Sequence, residues 1–120
     1  MKKYPRAALK VDFGTEVRLG PGKVRLLELI AETGSISAAA RQMEMSYRRA
    51  WLLIDEVNGI FGNLVVETAT GGAGGGGAKI TPLGEAVIVA FRTIEHETTE
   101  LIQAKLTKLL TQRGRGRRET

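Results

Sequence analysis

The residues best equipped for chemistry are Ser46-Tyr47-Arg48-Arg49, which place a hydroxyl, a phenol and two guanidinium groups in four consecutive positions. On the first turn of a helix, such a set forms a fan of hydrogen-bond donors. Arginine can bond guanine O6 and N7 together, and a helix N-terminus favours phosphate. The competing reading is a solvated face with two ordinary arginines. Acid–base and nucleophilic chemistry have far less material. The chain has no cysteine and one histidine, His96, between Glu95 and Glu97. Disulfides and thiolate metal sites are excluded. No catalytic residue and no metal ligand is assigned, no cofactor is expected, and His96 reads as a solvated or interface residue.

A second constellation is the run Gly71 to Gly77, where six of seven residues are glycine. Gly72-Ala73-Gly74-Gly75-Gly76-Gly77 formally satisfies G-x-G-x-x-G, but any glycine run does. A dinucleotide site needs a helix directly after the motif within a βαβ unit. Here Ala78-Lys79-Ile80-Thr81 reads as a strand. The P-loop pattern also fails, because Ile80 follows Lys79. A loop tip whose bare amides approach a phosphate backbone suits these glycines better. A nucleotide-binding enzyme is therefore the weaker rival, and no enzyme is expected.

The elements that must hold these groups follow from periodicity and punctuation. Leu9, Val11 and Phe13 alternate with Lys10 and Asp12, a half-buried strand ended near Gly14. Pro21 can open a helix, Val24, Leu27, Ile30 and Ala31 recur at helical spacing over 21–33, and Gly34 ends it. Ser35 or Ser37 caps a short second helix ending near Met43. Ser46 caps a third, with Ala50, Ile54, Val57 and Phe61 on one face, Leu53 beside them, and Gly62 at its end. With Ala50 inward, Arg48 and Leu52 point away, Arg49 lies to one side, and Trp51 falls at the edge of the core face.

Ala39 and Ala40 allow close approach of the two short helices, and Met43, Met45, Ala50 and Leu53 supply apolar contact. Glu44 occupies the turn where a glycine is often found. Leu64 to Thr68 and Ala78 to Thr81 then form a hairpin around the glycine tip. Thr81-Pro82 starts a long helix to about Gln112, spanning roughly 46 Å at about 1.5 Å per residue. Its apolar positions, including Val87, Phe91, Ile94, Leu101, Ile102, Leu106, Leu109 and Leu110, exceed what three short helices can cover. A partner chain is the natural cover. Arg113 to Arg118 reads as a basic, flexible tail.

Composition agrees with one small domain. The chain has 120 residues, 42% of them apolar, few aromatics and a net charge of +5. A basic domain of this kind is drawn to phosphate polymers or anionic surfaces. No apolar run approaches the roughly 20 residues that a membrane span needs. The basic N-terminus lacks an apolar segment after it and is not a secretory signal. The expectation is a cytoplasmic protein without a membrane partner.

Gly34-Ser35-Ile36-Ser37, Ser46-Tyr47-Arg48-Arg49-Ala50-Trp51, Asn58, Leu64-Val65 and above all Thr68-Ala69-Thr70-Gly71-Gly72-Ala73-Gly74-Gly75-Gly76-Gly77-Ala78 resemble the N-terminal domain of molybdate-responsive transcriptional regulators of the ModE type. The likeness covers roughly residues 20 to 95. The helix-turn-helix is also similar, more broadly, to that of LysR-type regulators. The resemblance implies a winged helix, dimerisation through the long helix and palindromic operators. In full-length members it implies C-terminal molybdate-binding domains. The sequence stops at Thr120, so on this reading the molybdate-binding domain is absent and no oxyanion sensor carries over.

The expected fold class is mainly α with a small β-hairpin. A winged helix-turn-helix spans 1–81, with the helix-turn-helix about 35–62 and the wing about 64–81. A long dimerisation helix spans 82–112, and a basic tail 113–120. Ser35, Ser37, Ser46, Tyr47, Arg48, Arg49, Thr70, Gly74, Gly75, Gly76 and Lys79 are the expected contacts to double-stranded DNA. Phe91, Ile94, Leu101, Ile102 and Leu109 are the expected homodimer contacts. The alternative is a winged-helix adaptor for other proteins, with only non-specific DNA affinity.

Overall fold

Local punctuation sets most of the elements. Gly20 adopts extended backbone before Pro21, and α1 runs Pro21–Thr33 until Gly34 turns left-handed at φ 69°. Ser35 accepts a hydrogen bond from the Ala38 amide at 3.0 Å and starts α2, Ile36–Gln42. Ser46 does the same for the Arg49 amide, also at 3.0 Å, at the head of α3, Tyr47–Phe61. Gly62 closes that helix at φ 66°. These caps satisfy amides and carbonyls that a helix end leaves without partners. The computed structural model describes residues 4–69 and 77–119, excluding the side chains of 113–119.

Two short antiparallel pairs complete the element set. β1 (Val11–Asp12) pairs with β2 (Arg18–Leu19), and β3 (Val66–Ala69) pairs with β4 (Gly77–Ile80) in the register Val66↔Ile80 and Glu67↔Lys79. α4 follows over Pro82–Glu119. The order β1-β2-α1-α2-α3-β3-β4-α4 is mainly helical, with a helix-turn-helix in α2–α3 and a hairpin wing after it. The expected fold class is therefore met. Two local readings need correction. The expected single strand at Leu9–Phe13 is one arm of a ribbon, closed by a turn in which Asp12 Oδ1 accepts the Gly14 amide at 2.8 Å. The segment expected as a flexible tail is helical backbone as far as Glu119. Its glycines each disfavour helix by only about 1 kcal/mol, which flanking helix formers can offset.

The chain forms two compact units, one of Lys10–Ala90, the other of Met1–Leu9 with Phe91–Thr120. In the first, Val24, Leu27 and Ile30 of α1 are buried as their spacing predicted. Leu26 and Leu29 broaden that face, while Ala31 is exposed. Ala39 and Ala40 of α2 and Ala50, Ile54 and Val57 of α3 are also buried. Small residues let the helix backbones approach closely, and the aliphatic ones fill the remaining space.

The wing of this unit is tied down by polar joints. The Ala78 amide donates to the Gly34 carbonyl at 2.9 Å, and Asn58 Oδ1 accepts the Val65 amide at 2.8 Å. Thr81 Oγ1 donates to the Leu64 carbonyl at 2.8 Å and accepts the Gly84 amide at 3.0 Å. The wing thus has fixed attachments to the α1–α2 turn, to α3 and to the start of α4. Gly84 is obligatory there, because a Cβ would overlap the Val65 carbonyl oxygen.

In the second unit, the N-terminal segment lies along α4. The Ala7 amide donates to Thr99 Oγ1 at 2.9 Å, and Gln103 Nε2 donates to the Pro5 carbonyl at 3.0 Å. Ala7 is buried. Phe91, expected on the partner-facing stripe, is only 1% exposed. It is already withdrawn from solvent within one chain, so it offers no surface to a second. Ile94, Leu101, Leu106, Leu109 and Leu110 remain exposed, and Ile102 is half-buried.

Candidate nucleic-acid interface

The α2–α3 turn sets how α3 leaves the body of its unit. Glu44 has φ 55°, the left-handed conformation that glycine adopts without strain. The turn geometry is thus present although the usual glycine is not. The Met45 amide reaches back to the Ala40 carbonyl at 3.0 Å, and the Glu44 amide to the Arg41 carbonyl at 3.1 Å. Backbone bonds hold the geometry that the residue type disfavours.

From this turn α3 projects Tyr47, Arg48 and Arg49, all exposed, with Tyr47 at 52%. The tyrosine ring meets Trp51 edge-to-face at 6.4 Å between centroids. Trp51 is half-buried, as its position at the edge of the core face predicted, so it steadies an exposed aromatic against the helix. Neither Arg48 nor Arg49 has an ion-pair partner among the described residues. Both guanidiniums can therefore engage an outside anion without first breaking a bridge. Glu56, farther along the helix, is held by Lys23 at 3.2 Å. That pairing reduces the repulsion an approaching phosphate would meet. The Ser46 hydroxyl caps through its oxygen lone pair, so its proton stays available to an acceptor.

The other predicted contacts divide by place. Ser35 is half-buried, with its oxygen used by the Ala38 amide and its own amide donating to Thr33 Oγ1 at 3.2 Å. It is first of all a cap, with only its hydroxyl proton left to give. Ser37 is exposed on α2. Lys79 is exposed on β4, next to Ala78, whose amide bonds to Gly34. Ser35 and Lys79 are thus the sequence neighbours of two directly bonded residues, which brings the wing base beside the start of α2. Thr70, Gly74, Gly75 and Gly76 lie outside the described residues. Ser46 to Arg49 are consecutive at the head of α3, Ser35 and Ser37 lie at the start of α2, and Lys79 lies on β4.

Sequence reasoning missed Lys10, Arg18 and Lys23. Together with Arg49 they line a cleft of about 600 Å³ beside the first turn of α3. The signal that could have found them was Asp12-Phe13-Gly14, a turn that folds Arg18 back beside Asp12. These two residues pair across the ribbon, with Arg18 Nη2 3.4 Å from Asp12 Oδ2.

No family model matches the sequence. The chain is 43% identical over 90 residues to the molybdenum-pterin-binding protein MopB of Rhodobacter capsulatus, covering 75% of this chain and 33% of that protein. It is 46% identical over 71 residues to the DNA-binding transcriptional dual regulator ModE of Escherichia coli K12, covering 59% of this chain and 27% of that one. The chain spans about a third of the length of the curated relatives it matches. Among solved structures, full-length CbnR in complex with its target DNA superposes with a TM-score of 0.50 at 19% identity, over 78% of this chain and 28% of that one. That likeness is one of fold.

Proposed function

We propose that the chain is a sequence-specific DNA-binding transcriptional regulator that engages an inverted-repeat operator as a homodimer. The observation that carries this reading is the first turn of α3. A capped helix presents Tyr47, Arg48 and Arg49 to solvent, both arginines without ion-pair partners among the described residues. That arrangement suits entry into a major groove by the helix N-terminal end. Arg48 reads a base edge, Tyr47 packs beside it, and Arg49 with Lys79 holds phosphate. The similarity to a protein named as a DNA-binding regulator supports the reading.

Dimerisation rests on α4. Ile94 and Leu101, and likewise Ile102 and Leu109, stand seven residues apart, the spacing by which one helix packs along another. Leu101 and Leu109 are 55% and 56% exposed, which is unfavourable without a partner. A two-fold pair would present two α3 helices to half-sites about one helical turn apart. Leu101→Glu should move the protein from dimer to monomer in sedimentation equilibrium, and an unchanged mass would exclude this stripe as the interface.

The defining experiment is selection from a random duplex library at about 0.15 M salt, where non-specific phosphate contacts are weakened. Recovery of an inverted repeat is the expected result. Binding without any preferred sequence would favour the protein-interaction adaptor instead. The names of the relatives make genes of molybdenum transport the first place to look for a recovered site.

A further inference from the structure

We propose that the cleft between the β1–β2 ribbon and the first turn of α3 is a second phosphate site, which grips the DNA backbone outside the groove that α3 enters. The inference rests on the reading of α3 as the DNA-contacting helix. It adds a contact surface that none of the sequence patterns marked.

The cleft brings together groups that are far apart in the chain. Lys10 immediately precedes β1, Arg18 lies on β2, Lys23 at the start of α1, and Arg49 on α3. Two carboxylates, Glu16 and Glu56, share its walls. Glu56 is neutralised by Lys23, whose Nζ also donates to the Arg18 carbonyl at 2.6 Å. Arg18 is shared with Asp12 at 3.4 Å in an exposed pair. Lys10 and Arg49 have no ion-pair partner among the described residues. The cleft therefore holds two uncommitted cations and one partly committed, against a single free carboxylate, Glu16.

Its location decides what fills it. Arg49 belongs both to this cleft and to the exposed first turn of α3, so the cleft is continuous with the proposed reading face. Met45 and Leu53 supply an apolar part of the wall. A nucleic-acid backbone matches that mixture, with charged phosphate oxygens for the cations and deoxyribose carbons for the methionine and leucine. With about 600 Å³ the cleft is far roomier than one small anion requires.

The test compares single-charge changes on the full chain. The salt dependence of binding is measured for wild type, Lys10→Ala, Glu16→Gln and Arg25→Ala on one operator and one scrambled duplex. Lys10 is exposed, so its removal leaves the core intact. Arg25 is an exposed control on α1, paired with Glu28 and Glu32 and absent from the cleft. Losing one phosphate contact lowers the magnitude of the slope of log K against log salt by about 0.9. Lys10→Ala should show that drop and weaken both duplexes by the same factor. Glu16→Gln should tighten both, and Arg25→Ala should keep the wild-type slope. A neutral methylphosphonate placed at the contacted phosphate should weaken wild type but not Lys10→Ala.

An unchanged slope in Lys10→Ala, while wild type binds normally, would overturn this inference and leave the reading of α3 standing. Absence of duplex binding by wild type would overturn that reading and this one with it. Thermal protection of the free protein by inorganic phosphate, lost in Lys10→Ala without any change in DNA slope, would also overturn it, because the cleft would then serve a free anion.

Discussion

Replacing Thr81 with valine should loosen the wing without making a cavity. Thr81 is 7% exposed, and its hydroxyl makes two hydrogen bonds, accepting the Gly84 amide at 3.0 Å and donating to the Leu64 carbonyl at 2.8 Å. Valine preserves shape and removes both. Loss of a capping oxygen costs about 1 kcal/mol. Loss of the second bond costs about another 1 kcal/mol net. Gly84 is buried, so its orphaned amide has no easy route to water and pushes the total toward about 3 kcal/mol. The cost should fall on the joint between Leu64, the end of β4 and the start of α4. Urea unfolding at fixed protein concentration is the assay, because association would otherwise shift the midpoint. With a slope of about 2 kcal/mol per molar urea, the midpoint should move down by roughly 1–1.5 M at unchanged slope. Thr81→Ser keeps the hydroxyl and should recover most of that difference. A valine variant within about 0.5 kcal/mol of wild type would refute the reasoning, that margin being typical of an uninvolved surface site. A serine variant as unstable as valine would show that the buried methyl group contributes as much as the hydroxyl.

Two further substitutions probe backbone geometry. Glu44→Gly should stabilise by up to about 1 kcal/mol, because the left-handed conformation at φ 55° costs a side-chain-bearing residue about 1–2 kcal/mol and glycine's unfolded-state entropy returns part of that. A clear loss of stability in urea would show that the Glu44 side chain holds the turn. Gly84→Ala should destabilise by about 1–3 kcal/mol, since the new methyl meets the Val65 carbonyl oxygen and the Ile80 side chain. A neutral result in thermal unfolding would mean that α4 can shift away from the wing at no cost.

The parts of this fold that are legible in the sequence are those punctuated locally. Pro21 and Gly34 bound α1, Ser46 and Gly62 bound α3, and Thr81-Pro82 opens α4, each acting within a few residues of itself. The buried face of α3 was equally readable, because Ala50, Ile54 and Val57 repeat at one helical spacing. What escaped depends on contacts distant in sequence. β1 and β2 are two residues each, too short for any alternation pattern to register both arms. Phe91 shares the apolar period of Ile94 and Leu101, yet only the tertiary structure buries it and leaves them exposed. The basic cleft was invisible because Lys10 and Arg49 are 39 positions apart in the sequence and meet only after the ribbon folds. The α3 cluster itself was readable because four adjacent residues already carry its chemistry.

The central claim is that the first turn of α3 reads base sequence. Its most direct test is the ratio of affinities for the selected operator and a scrambled duplex, measured at one salt concentration for wild type and Arg48→Ala. Wild type should favour the operator by a factor of about 1,000 or more. Arg48→Ala should cut that preference by about 1–3 kcal/mol while changing the scrambled duplex far less. Equal weakening of both duplexes, or a wild-type ratio near one, would contradict the assignment and leave α3 as a phosphate contact without a reading role.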